Sequence, residues 1–228
     1  MEKIIGTGAE AILIQKDGKL IKRRIKKSYR IQILDEKLRK SRTKKESKLL
    51  EKASKLIPVP KIIKLDEKNK EIDMKFVEGL KLSENLDSLQ NAEEICKIIG
   101  QNIAKIHDAD IIHGDLTTSN MIYVKDKNAK TETSSSSTPT TYQKQISDNT
   151  SQGKVYFIDF GLGFESKKIE DKAVDLHLLK QALEAKHFNN YEKFFSAVLE
   201  GYKLSKHHEA TLHRLKKVEA RGRYKEQF

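Results

Sequence analysis

The chain has 228 residues, 37% hydrophobic and 34% charged, with 45 Lys and Arg against 33 Asp and Glu for a net charge of +12. That length suits one large domain or two small lobes, and enough periodic apolar segments remain to build a core. One cysteine, Cys96, excludes an internal disulfide, and no apolar run approaches membrane-spanning length, so a soluble cytoplasmic protein is expected, also nuclear if the source is eukaryotic.

Residues 1–27 read as short strands and turns. Ile4-Ile5-Gly6-Thr7-Gly8-Ala9-Glu10-Ala11 leads into a β-like run, Ile12-Leu13-Ile14. Glycines there let a backbone fold closely over phosphates, where a Cβ would collide. Ala11 stands where a full GxGxxG has its third glycine, so by itself the segment is equally an ordinary hairpin turn. Asp17-Gly18 marks a turn before the strand Leu20-Ile21-Lys22. Lys22 is the candidate phosphate-binding lysine of that strand, against the plainer reading of a solvated lysine.

Residues 31–57 read as helix, in one or two pieces, stopped by Pro58 and Pro60. Glu46 lies on it and is the candidate partner for Lys22, with Glu36 and Glu51 competing. Such a pair fixes the ammonium against the α and β phosphates of a nucleotide. Two strands follow, Lys61 to Leu65 and Ile72 to Val77, the second alternating Ile72, Met74 and Phe76. Glu78-Gly79 falls where a hinge between lobes would lie. Ala92 to Asp108 spaces Ile95, Ile98, Ile99, Ile103 and Ile106 as one face of a helix, with Cys96 a small buried hydrophobe.

The most informative stretch is His113-Gly114-Asp115-Leu116-Thr117-Thr118-Ser119-Asn120, followed later by Asp159-Phe160-Gly161. Met121 to Val124 and Val155 to Ile158 read as strands flanking it, so a hairpin presents both aspartates and the asparagine on one side. That is the residue set for a nucleoside triphosphate with its metal. One Asp, here Asp115, handles the proton of the attacking hydroxyl, while Asn120 and Asp159 hold magnesium against the phosphates. Residues 125–154 interrupt the hairpin with Ser134 to Ser137 and many Thr, Asn, Gln and Lys, a composition expected to be disordered. Further helices are expected over Ala173 to Lys186, Tyr191 to Tyr202 and Glu209 to Lys217.

Charge is uneven. Residues 16–55 carry 17 Lys and Arg against 5 Asp and Glu, an excess of 12 and so the whole chain's net charge. The bland reading is a solvated helix face; the sharper one is attraction to a phosphate polymer such as tRNA. Arg214, Lys216, Lys217, Arg221, Arg223 and Lys225 make the C-terminal end basic too, with 218–228 expected as a tail beyond the last helix.

These stretches resemble the small atypical kinases of the KEOPS/EKC complex, often called the PRPK family. Gly6 to Ala11, Ile21-Lys22 with Lys27-Ser28-Tyr29-Arg30 and Leu34-Asp35, His113 to Asn120, and Arg221-Gly222-Arg223 carry the resemblance. It implies an α+β fold, a minimal two-lobed protein-kinase-like fold with residues 1–78 as the N-terminal lobe and 79–228 as the C-terminal lobe. ATP would lie under Gly6 to Ile14 with Lys22 on its phosphates, Asp115 as catalytic residue, and Asn120 and Asp159 holding Mg2+. It also implies the KEOPS threonylcarbamoyl transferase subunit and other KEOPS subunits as partners, and tRNA bound through the basic surface and the C-terminal tail. ATP hydrolysis would then support threonylcarbamoyladenosine formation on tRNA, and serine/threonine autophosphorylation is also associated with the family.

Departures from regulated protein kinases fit that reading. Gly114 replaces an arginine, Thr117 replaces a lysine, and only 67 residues follow Gly161, with no Ala-Pro-Glu element. The competing readings are a small-molecule phosphotransferase of the aminoglycoside or choline kinase type, which needs a larger C-terminal half, and a non-catalytic tRNA-binding scaffold.

Overall fold

The computed structural model describes residues 2–125 and 153–223. Three strands open the chain: β1 (Lys3–Thr7), β2 (Ala11–Lys16) and β3 (Lys19–Arg24). Asp17 and Gly18 join the last two with φ of 48° and 71°, the doubly left-handed turn that matches strand twist. α1 (Gln32–Ala53) follows as one unbroken helix, then β4 (Ile62–Asp66) and β5 (Glu71–Lys75). The five strands form one antiparallel sheet in the order β1-β2-β3-β5-β4.

The two halves of α1 bury different chemistry. Asp35, Thr43, Glu46 and Ser47 are buried in its earlier turns, Leu49, Leu50 and Ala53 in its last. The apolar end joins Ile57 and Val59 in a core cluster continuous with the second lobe. The Phe157 amide also donates to the Pro58 carbonyl at 3.0 Å. The helix is therefore anchored by its C-terminal end, and its polar turns are free to face the cleft.

Residues 76–79 cross to the second lobe. There lie β6 (Leu80–Lys81), α2 (Leu82–Asn85), α3 (Ala92–Asp108), β7 (Ile111–Ile112), β8 (Met121–Val124), β9 (Lys154–Phe157) and β10 (Phe164–Glu165). α4 (Ile169–Lys186), α5 (Tyr191–Tyr202) and α6 (His208–Arg223) complete the lobe. Ile95, Ile99, Ile103 and Ile106 of α3 are all at most 1% exposed. Burial among them pushes the Cys96 thiol up to about 12. α3 and α5 touch backbone to backbone: a Cβ on Gly100 would lie 1.9 Å from the Val198 carbonyl oxygen, and one on Gly201 2.0 Å from that of Lys97.

Several expected boundaries move. β9 begins at Lys154, inside the expected 125–154 insert, while residues 126–152, with Ser134 to Ser137, lie outside the described residues. α4 starts four residues before Ala173. The final helix does not stop at Lys217 but runs through Arg223, so 218–228 does not begin as a tail; residues 224–228 lie outside the described residues. The physical reason is that α4 offers partners to the extra turns. Lys180 donates to Glu219 at 2.7 Å, and Arg221 to Glu170 at 2.7 Å. β6, β7 and β10 are two-residue strands paired with distant segments, which local patterning does not signal. Among the described residues no helix is long and apolar enough to cross a membrane.

Candidate active site

The cleft lies between the sheet and the catalytic hairpin. A cavity of about 430 Å³ is lined by Gly6 to Ala11, Leu13, Lys22, Asp115, Asp159, Gly161 and Leu162, and also by Arg24 and Arg42. A deeper pocket of about 230 Å³ adjoins it, with Leu13, Leu20, Met74, Ile158, Glu46 and Asn120 in its walls. Mostly apolar walls with a few convergent polar groups are what a flat aromatic base attached to a charged chain requires.

The structure brings together nearly every residue singled out from the sequence. Ile12 and Ile14 are the exceptions, because neither lines the cavity. Strand alternation turns Ala11 and Leu13 to the cleft, which sends Ile12 and Ile14 to the other face of the sheet. Glu46 is the carboxylate on Lys22, at 2.6 Å and buried. Glu36 instead pairs with Lys70 at 2.7 Å, and Glu51 is exposed.

Lys22 is shared. Its ammonium donates to Glu46 and also to Asp159 Oδ1, both at 2.6 Å. Burial alone would lower the pKa of its ammonium, but the charges of Glu46 and Asp159 outweigh that and hold Lys22 above its usual 10.5. For Asp159, burial pushes the carboxyl up, and the Lys22 charge and hydrogen bond outweigh it with help from the Gly161 amide. Its pKa ends below the usual 3.8. Asp159 therefore stays ionised, the form that can ligate a metal. Its backbone has φ 63°, a left-handed conformation uncommon outside glycine that turns the carboxylate back toward Lys22.

Asp115 is held from the side. The Asn120 amide nitrogen donates to the Asp115 carbonyl at 3.0 Å and to its Oδ2 at 2.8 Å. With its nitrogen so engaged, the Asn120 amide oxygen is left to accept or ligate. Among the described residues no three His, Cys, Asp or Glu side chains group as a self-sufficient metal site. Asn120 and Asp159 supply two oxygen donors, which fits Mg2+, an ion that completes its shell with phosphate oxygens and water.

One supporting residue gave no signal in the sequence. Asp175 of α4 is 1% exposed and accepts from the amides of His113 at 2.8 Å and Gly114 at 2.9 Å, fixing the start of the catalytic loop. His113 packs against Phe160, ring centres 4.6 Å apart, and its Nε2 lies 3.1 Å from the Ile158 carbonyl. The Asp115 amide donates to its Nδ1 at 3.3 Å, so the neutral Nε2–H tautomer satisfies both contacts. Burial keeps the ring below its usual 6.5. Gly114 has φ 77°, and a Cβ there would lie 2.5 Å from the Leu162 carbonyl oxygen. No arginine fits in its place. Arg24, two residues after Lys22 on the same strand face, takes the second oxygen of Glu46 at 2.5 Å. Strand periodicity puts Arg24 beside Lys22, a signal that the sequence carries and that the expectations above did not use.

The RIO domain family matches residues 15–131. The chain is 39% identical over 213 residues to the KEOPS complex subunit Bud32 of Pyrococcus abyssi, covering 91% of this chain and 84% of that one. It is 36% identical over 220 residues to the EKC/KEOPS complex subunit BUD32 of Encephalitozoon cuniculi, covering 96% and 94%. It is also 39% identical over 230 residues to a probable bifunctional tRNA threonylcarbamoyladenosine biosynthesis protein of Methanobrevibacter smithii, but spans only 37% of that longer chain. In three dimensions it is similar to the Rio2 kinase of Chaetomium thermophilum in an ADP/Mg2+-phosphoaspartate complex. The TM-score is 0.61 at 16% identity, covering 96% of this chain and 70% of that one, a likeness of fold. The fold is α+β and kinase-like, and the chain belongs to the RIO-domain atypical kinases, within the Bud32 family.

Proposed function

We propose that the cleft binds ATP with Mg2+ and transfers its terminal phosphoryl group, to water or to a serine or threonine hydroxyl. We further propose that the protein does so as the kinase/ATPase subunit of a KEOPS-type complex supporting threonylcarbamoyladenosine modification of tRNA. The observation that carries the reading is the convergence of Lys22, Asp115, Asn120 and Asp159 on one cavity, with Lys22 already braced by Glu46. Lys22 would hold the α and β phosphates, and Gly6 to Ala11 would cover them. Asp115 would orient the attacking hydroxyl and take its proton as the new O–P bond forms and the β–γ bridge breaks, releasing ADP. Bound Mg2+, held by Asn120 and Asp159, would offset the negative charge of the phosphates.

Family membership supports the threonylcarbamoyl transferase subunit as the partner, and the basic face of residues 16–55 suits tRNA. Turnover of ATP by the purified chain, alone and with the transferase subunit and tRNA, tests the reading. Asp115→Ala should remove turnover and leave ADP binding intact, whereas Asp159→Ala should also weaken the magnesium-dependent part of binding. Unchanged turnover in the Asp115 variant would overturn the assignment.

A further inference from the structure

The catalytic loop from Asp115 to Asn120 contains no cation, yet among the described residues the cavity above it is lined by three, Lys22, Arg24 and Arg42. Two of these are taken up elsewhere, Lys22 with the α and β phosphates on the reading above and Arg24 with Glu46. Lys22 lies between Glu46 and Asp159, and the Arg24 side chain is only 5% exposed, on Glu46. Arg42 differs. It sits one helical turn before Glu46 on α1, its side chain is 40% exposed, and its Nη1 donates at 2.7 Å to Glu10 Oε2. Glu10 is part of the loop that would cover the phosphates and lines the same cavity, its side chain 41% exposed. A carboxylate there has the wrong sign for a phosphate site unless a cation neutralises it or it gives way. Glu10 can give way without losing its tether, because Arg30 lies 3.5 Å from its other oxygen and the Lys27 ammonium donates to the Ala9 carbonyl.

We infer that Arg42 is the residue that meets the terminal phosphate of the nucleotide, and that Glu10 holds it at the cleft until that phosphate takes the carboxylate's place. A terminal phosphate carries more charge than a carboxylate and presents three acceptor oxygens, so it outcompetes Glu10 for a guanidinium. Arg30 keeps Glu10, and the loop stays closed over the chain of phosphates. The inference rests on the nucleotide reading of the cleft.

Titration of AMP, ADP and ATP with Mg2+ against the wild-type chain, Arg42→Gln, Arg42→Lys, Glu10→Gln and the Glu10→Gln/Arg42→Gln double variant separates the alternatives. Arg42→Gln should weaken ATP binding by about tenfold, the scale of one lost charge-assisted hydrogen bond, and leave AMP unchanged. Arg42→Lys should recover part of the loss, and Glu10→Gln, lacking the competitor, should bind ATP more tightly than wild type. The double variant should remain as weak as Arg42→Gln. Recovery of wild-type affinity in the double variant would mean that Arg42 only neutralises Glu10, and an equal loss for AMP and ATP would mean that it only supports the fold; either overturns the inference. Wild-type protein that binds ATP no better than AMP would overturn the nucleotide reading itself.

Discussion

Around the cleft the two lobes hold buried charge by different means, although elsewhere in the second lobe buried Lys172 also pairs with Asp110 at 3.3 Å. In the first, Lys22, Arg24 and Glu46 are buried against one another, and Lys22 reaches across to Asp159. In the second, Asp175 is held by the amides of His113 and Gly114 with the His107 ring 3.2 Å away, and the His113 ring lies between the Ile158 carbonyl and the Asp115 amide. Side-chain ion pairs can exchange partners when a ligand of the right charge arrives; backbone donors cannot. On the proposed nucleotide reading, the first lobe would trade contacts with phosphates while the second keeps Asp115, Asn120 and Asp159 where they are. The apolar core follows the same division. It fills the second lobe and takes in α1 only at its last turns.

Breaking the rigid side should have the largest effect. A Cβ on Gly100 would meet the Val198 carbonyl oxygen at 1.9 Å and the Tyr202 amide nitrogen at 2.9 Å. Neither is a side chain that can swing aside, so α3 and α5 must separate. Gly100→Ala should cost more than about 3 kcal/mol, the upper range for overpacking a core. The melting transition of the whole chain should fall or vanish, because the end of α1 shares that core. Unchanged melting would show that the two helices are free to slide.

The exchangeable side should fail more gently. Glu46→Gln keeps the shape but leaves Lys22 and Arg24 sharing one neutral amide, a loss of about 2 kcal/mol for charge-assisted hydrogen bonds. Hydrogen exchange should speed up in β3 and α1 while α3 and α5 stay protected. Equal loosening of both lobes would erase the distinction between them.

How far this division was legible in the sequence depends on the range of the contact. Lys22, Asp115, Asn120 and Asp159 were readable because each sits in a short local pattern. Arg24 follows from strand periodicity alone. Glu46 could not be separated from Glu36 and Glu51, since the choice depends on how α1 is rotated over the sheet. Asp175 lies 62 residues from His113 and 61 from Gly114 along the chain, and a lone Asp within a helix carries no mark of that contact. The end of α6 was misplaced because its added turns are held by α4 rather than by their own composition.

Acidification probes the second lobe at constant sequence. Burial holds His113 below its usual 6.5, so the folded state resists taking a proton that the unfolded chain accepts. The stability tied to a neutral ring is present above pH 6.5 and is lost as pH falls from there toward the depressed folded value. A proton on Nδ1 would also face the Asp115 amide that now donates to it. The midpoint of unfolding should therefore drop below pH 6.5, with less dependence on pH in His113→Gln. A profile unchanged by the substitution would place the titration elsewhere.

The smallest effect expected is at the far surface, where charge is neither buried nor tied to backbone. Glu170 at the start of α4 accepts from Arg221 at 2.7 Å and also from Arg214. The Arg221 side chain is 61% exposed and that of Glu170 28%, so water and salt compete for both. Exposed pairs of this kind contribute roughly 0–1 kcal/mol, and Arg221→Gln should shift the melting transition by no more than that. Glu170→Gln removes the partner of both arginines, yet its cost should stay near 1 kcal/mol and shrink as salt is raised toward 1 M, where the screening length is about 3 Å. Salt should leave the cost of Gly100→Ala untouched. If Glu170→Gln instead cost as much as Glu46→Gln, and kept that cost in high salt, the last turns of α6 would be part of the rigid framework, and the division between the lobes would have to be redrawn to include them.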